Sequence, residues 1–122
     1  MTRGVILFGH GSRDPAWRAP MDAVASKIIE KSPGTRVVCA FLELQAPDFA
    51  AAVSELANAG AEHVTVLPMF LGIGRHARQD LPTLVEAARA AHPGLAFAVL
   101  PSVGELPEVI EALAEAPLRA LP

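Results

Sequence analysis

Three side chains in this sequence combine metal-ligand chemistry with a regular spacing. His10 and Glu43 stand 33 residues apart, and Glu43 and His76 stand 33 apart again. Imidazole nitrogens and carboxylate oxygens are donors that first-row divalent metals accept. Either group also relays protons when its surroundings tune it. A step of that length is about one strand–helix unit, so equal phase along such units places all three at one edge of a sheet. Two imidazoles and a carboxylate there make an open site for a divalent transition metal. Each residue alone has a bland reading: a tight strand-to-helix turn for His10, a solvated loop acid for Glu43, a surface residue for His76.

Hydrophobic periodicity supplies the elements that position them. Val5–Phe8, inside Thr2–His10, is a continuous apolar run closed by glycine, as expected of a strand buried on both faces. From Pro15 to Ser32, residues Met21, Val24, Ala25, Ile28 and Ile29 recur at steps of three and four along one helix face, and Pro33-Gly34 stops it. Arg36–Leu42 is a second strand. Pro47 to Asn58 is a second helix, with Pro47 near its first turn. His63–Pro68 is a third strand, and Met69 to Arg78 a glycine-bearing loop. The third helix runs from about Leu81 to His92, the fourth strand over Leu95–Leu100, and the fourth helix from Pro107 to Ala116. Strands alternating with helices give an α/β fold. Its expected form is a flavodoxin-like three-layer sandwich: an open parallel four-stranded sheet in order 2-1-3-4, with helices on both faces. Ligands of such sheets bind beyond the carboxyl ends of the strands. His10, Glu43 and the Met69–Arg78 loop all follow strand ends.

That loop carries a second signal. Met69, Phe70, Leu71 and Ile73, with Gly72 and Gly74 between them, are odd in a solvent loop and suit an apolar wall for a large flat ligand. Arg75 and Arg78 flank His76, and Arg13 lies near His10. Guanidinium groups there suit peripheral carboxylates. Without a ligand, the same loop would be a lid or a dimer contact. Other signatures fail. Gly9-His10-Gly11-Ser12-Arg13-Asp14 resembles the start of a dinucleotide fingerprint, but Asp14 replaces the last glycine and disfavours a pyrophosphate. No phosphate-binding loop with its lysine exists, since Lys27 and Lys31 are the only lysines. No Gly-x-Ser-x-Gly elbow surrounds Ser12. His63 falls at the opposite sheet edge, His92 at a helix end, and Trp17 is expected to pack over the first helix.

Composition narrows the class. At 122 residues and 52% hydrophobic, the chain reads as one domain with enough apolar material for a core. Twenty-three of those residues are alanine, so bulky core formers are few and burial against a partner is expected. A net charge of −3 argues against a nucleic-acid binder. Cys39 is single and reads as a small buried hydrophobe. No apolar run is long enough to span a membrane and no signal peptide is evident, so a soluble cytoplasmic protein is expected.

The motifs Gly-His-Gly-Ser-Arg-Asp (9–14), Phe-Leu-Glu-Leu-Gln-Ala-Pro (41–47) and Leu-Pro-Met-Phe-Leu-Gly-Ile-Gly-Arg-His-Ala-Arg-Gln-Asp-Leu-Pro (67–82) together resemble the CbiX family, the short sirohydrochlorin chelatases of the class II chelatase superfamily. The resemblance runs from the first strand to the segment Val-Gly-Glu-Leu-Pro-Glu (103–108). It implies a lyase that inserts Co²⁺ into sirohydrochlorin for cobalamin, or Fe²⁺ for siroheme, with Ni²⁺ used by some relatives. It carries metal binding onto His10 and His76, and catalytic work onto these two and Glu43. Arg13, the 69–74 wall, Arg75 and Arg78 become the expected substrate contacts. The metal is substrate, no organic cofactor is implied, and the chain is expected to work as a homodimer without nucleic acid or membrane. A non-catalytic metal or tetrapyrrole carrier, and an interaction protein with incidental histidines, are the competing classes.

Overall fold

A computed structural model describes residues 2–122, with the side chain of His76 outside the described set. The elements in order are β1 (Arg3–Gly9), a 3₁₀ turn (Pro15–Arg18), α1 (Ala19–Lys31), β2 (Arg36–Phe41), α2 (Phe49–Asn58), β3 (His63–Pro68), α3 (Arg75–Ala91), β4 (Ala96–Val99), a second 3₁₀ turn (Val103–Glu105) and α4 (Pro107–Leu118). All strands are parallel, in the order β2-β1-β3-β4. The expected topology therefore holds. No described helix is long and apolar enough to cross a membrane.

β1 is central, and its residues divide by alternation between two cores. Ile6 and Phe8 pack with α2 and α3, while Leu7 packs with Met21 of α1 and with Cys39 and Phe41 of β2. Phe8 anchors the larger core, its ring edge-on to Phe49 at 5.6 Å and to Phe70 at 6.1 Å. Aromatic pairs of this geometry add roughly 0.5–1.5 kcal/mol each beyond their burial. β3 behaves differently. Val64, Val66 and Pro68 are buried, whereas His63, Thr65 and Leu67 are only half covered. One face of this interior strand is thus partly open.

Several boundaries differ from expectation. α2 starts after Pro47, because the Asp48 carboxylate caps it by accepting from the Ala51 amide at 2.8 Å. The first helix is split, with Asp14 capping a separate 3₁₀ turn. The largest shift is in α3. It begins at Arg75 with Gly74 as its cap, so Arg75, His76 and Arg78 lie on a helical turn and not in a loop. Pro82, a residue at home in a first turn, sits well inside this helix. Its missing N–H leaves the Arg78 carbonyl without its intrahelical donor. The fourth helix extends to Leu118 and lies against the Val103–Glu105 turn, with every residue from Glu111 to Leu118 exposed. Trp17 packs over the Phe41 ring and the backbone of Gly9.

Cys39 is buried and free, and burial pushes its thiol pKa up. Beside it, the Arg18 guanidinium bonds Asp22 at 3.1 Å and is itself raised by that partner. A thiol raised on folding stabilises the fold fully below the ordinary thiol range, and that contribution is lost as pH rises through its folded pKa. Two outcomes are expected. Cys39 resists iodoacetamide at neutral pH until urea unfolds the chain, as mass spectrometry would read. Phe8→Ala lowers stability by about 3–5 kcal/mol in urea denaturation.

Candidate metal and tetrapyrrole site

The carboxyl edge of the sheet is built by backbone pairing that continues past the strands. The Leu42 amide donates to the Gly9 carbonyl at 2.9 Å, and the Glu43 amide to the His10 carbonyl at 3.0 Å. This lays His10-Gly11-Ser12 alongside Glu43-Leu44-Gln45. Gly11 has φ +104°, and a Cβ there would overlap the Glu43 carbonyl oxygen. Only glycine allows the approach.

The approach brings two predicted residues together: His10 Nε2 lies 3.0 Å from Glu43 Oε1. Their side chains are 53% and 56% exposed, so both remain open to a ligand. In a neutral imidazole, Nε2–H donating to the carboxylate leaves the lone pair on Nδ1, ready for a metal. Carboxylate partners of this kind orient ligating histidines. His76 lies on the first turn of α3, which follows the β3 loop at the same edge. Its side chain is outside the described set, and so is the expected two-histidine geometry. Among the described residues no cluster of three metal-ligating side chains forms.

The apolar segment divides. Phe70 turns into the core against Phe8, so it anchors the loop. Met69 and Ile73 are half-buried on opposite sheet faces, and Leu71 stands 72% exposed. Gly72 and Gly74 are exposed, with open space where a Cβ would go. Arg13 and Arg75 are exposed. Arg78 donates to the Ile73 carbonyl at 3.2 Å, which ties the loop to the helix. The first turn of α3 holds arginines, no acid and no side-chain cap. Its dipole and its charges are both positive there, which favours a carboxylate-bearing ligand. His63 and His92 stand apart from this edge, as the spacing implied.

Residues beyond those singled out from the sequence complete the site. Gln45 accepts from the Ser12 amide at 2.9 Å and pins the His10 turn. Ser102, buried, donates its hydroxyl to the Phe70 carbonyl, and the Gly104 amide donates to the same oxygen at 3.1 Å. A Cβ on Gly104 would overlap the Leu71 carbonyl. The turn after β4 therefore clamps the wall. The available signal was a serine and a glycine just beyond a strand's carboxyl end.

Comparisons with known proteins bear on the family and the fold. The CbiX family model matches residues 4–119. A sirohydrochlorin cobaltochelatase of Methanopyrus kandleri is 35% identical over 81 residues, 66% of this chain; the match covers 57% of that relative's own length. A CbiX protein of Marinobacter aquaeolei VT8 superposes with a TM-score of 0.81 at 29% identity, over 97% of this chain and 96% of that one. The sirohydrochlorin chelatase SirB of Bacillus subtilis subspecies spizizenii, in complex with cobalt, superposes at 0.78 with 25% identity, over 94% of this chain and 49% of that one.

Gly11→Ala is expected to destabilise the chain by about 1–3 kcal/mol through its forced backbone conformation alone, and to part His10 from Glu43. Gln45→Ala, which frees one backbone donor, is expected to cost about 1 kcal/mol. Urea denaturation with Co²⁺ titration by calorimetry reads both. Gly11→Ala with unchanged stability and unchanged metal affinity contradicts the packing.

Proposed function

The chain belongs to the CbiX family, and from that premise we propose that it is a chelatase inserting a divalent metal, Co²⁺, into a sirohydrochlorin-type tetrapyrrole. The observation that carries the reading is the His10–Glu43 pair, open to solvent at the carboxyl edge of the sheet. The balance of the reaction is simple. One M²⁺ enters as two pyrrole N–H protons leave, so neither redox partner nor nucleotide is consumed, and no organic cofactor takes part.

His10 Nδ1 and His76 receive the metal and leave other coordination positions free for pyrrole nitrogens. Glu43 orients His10 with one oxygen and accepts a pyrrole proton with the other. Met69, Leu71 and Ile73 offer apolar contact to the macrocycle, held in place by Phe70. Arg13 and Arg75 take peripheral carboxylates, and Arg78 keeps the wall in position. The working unit is a homodimer.

The test is the absorbance change of sirohydrochlorin with Co²⁺, with and without protein. His10→Ala, His76→Ala and the double variant are expected to fall to the same near-background rate, because ligands acting as a unit do not give additive losses. His63→Ala and His92→Ala are expected to match the unmodified chain. Glu43→Gln is expected to lower rate more than metal affinity. Wild-type rate and metal affinity in His76→Ala would overturn the two-histidine site. Metal binding without acceleration would make the protein a carrier.

A further inference from the structure

The five phenylalanines of the chain are buried or half-buried, whereas Trp17, its single tryptophan, is 41% exposed. The indole stands at the carboxyl edge of the sheet. Its Cη2 atom lies 3.3 Å from the point a Cβ on Gly9 would occupy, and its ring is tilted 58° to that of Phe41 at a centroid distance of 6.2 Å. Gly9 pairs with Phe41 on one side and directly precedes His10. On its other side, the Met69 amide donates to the Phe8 carbonyl at 2.7 Å, which brings Met69 alongside Gly9. Met69 packs on the same core as Phe41 and Met21. Across this end of the sheet, the α1 side therefore presents Phe41, Gly9 under the indole, and Met69, with neighbouring strands about 4.8 Å apart.

The indole is held there by the His10 turn itself. Gln45 accepts from the Ser12 amide at 2.9 Å, and the Ser12 hydroxyl accepts from the Asp14 amide at 3.0 Å. The Asp14 carboxylate and carbonyl accept from the Ala16 and Trp17 amides at 2.9 Å and 3.1 Å. His10 and Trp17 thus ride on one braced segment. Closing the α1 core does not account for the uncovered part of the ring. Met21, itself buried, already lies against Gly9, and the Arg18 guanidinium covers the Phe41 ring at 4.9 Å. An exposed indole beside an imidazole open to metal suits a flat apolar ligand that must meet the metal.

We propose that Trp17 is a further substrate-binding residue: its indole takes the rim of the tetrapyrrole while the pyrrole nitrogens face the metal on His10. A macrocycle centred over one imidazole overhangs the residues beside it, and Gly9 with its covering indole is the next residue in the chain. The contact joins Trp17 and Met69 into one apolar surface on the α1 side. Arg13, in the segment between His10 and Trp17, is placed for a peripheral carboxylate. The indole carries no donor atom for a divalent metal, so it acts on macrocycle binding alone. The inference rests on the chelatase reading for the identity of the ligand.

The unmodified chain supplies the first test, because Trp17 is its only tryptophan. Metal-free sirohydrochlorin is added, its binding is followed by its own absorbance, and acrylamide quenching of the indole is measured with lifetime correction. The bimolecular quenching constant is expected to fall about twofold or more as the ring is covered. An unchanged constant with tetrapyrrole bound overturns the inference and leaves the chelatase reading standing. No tetrapyrrole binding overturns both. Variants separate contact from packing. Trp17→Leu keeps bulk over Gly9 and removes the aromatic face. It is expected to raise KM for sirohydrochlorin about three- to tenfold, with kcat and calorimetric Co²⁺ affinity retained. Trp17→Phe is expected to recover most of that loss. An unchanged KM in Trp17→Leu, or a parallel loss of Co²⁺ affinity, overturns the inference.

Discussion

Past the last residue of β2, two more backbone bonds join the turn after β2 to the turn after β1, from Leu42 to Gly9 and from Glu43 to His10. These bonds require the β1 turn and the β2 turn to run backbone against backbone. Gly11 is the residue that permits it, with a left-handed conformation and no side chain to strike the Glu43 carbonyl. The imidazole–carboxylate pair follows from this contact, because each side chain stands on one of the two joined turns. Gln45 adds a side-chain acceptor to the same seam. The pair is consequently held by backbone while both side chains stay accessible, a combination that a ligand-exchanging site needs.

The third strand contributes by a different principle. Its loop must be apolar where a macrocycle would rest and yet keep its shape. Phe70 supplies the shape by joining the core through Phe8. Its carbonyl is then satisfied by Ser102 and Gly104, from the turn after β4. The clamp links the last strand to the site without adding a functional group.

The alanine-rich composition bears on the two cores. Bulky residues are concentrated around β1, α2 and the start of α3, where packing is complete. The α1 core is smaller, with four buried residues and a fringe of half-covered ones. A helix that covers two strands leaves the other two open, and the chain's own fourth helix does not close the gap.

Much of this was legible in the sequence. Continuous apolar runs and helical stripes located four strands and four helices, and the alternation of the two determined a parallel sheet in the order observed, because right-handed crossovers leave few other arrangements. The repeat of His10, Glu43 and His76 at 33 residues placed all three after strands, and so at one edge. Local pattern could not find the start of α3, since a proline inside a helix looks like a proline at its beginning, nor that Phe70 faces inward while Leu71 faces out. It marked Ser102 and Gly104 only as a serine and a glycine beyond a strand's end and gave Gln45 no role, because their partners lie 32 to 34 residues away and are brought near only by folding. Tertiary structure alone decided the 3.0 Å between His10 and Glu43. Sequence spacing sets phase along a strand–helix repeat, whereas contact depends on how closely two backbones meet, and that was decided by the missing side chain of Gly11.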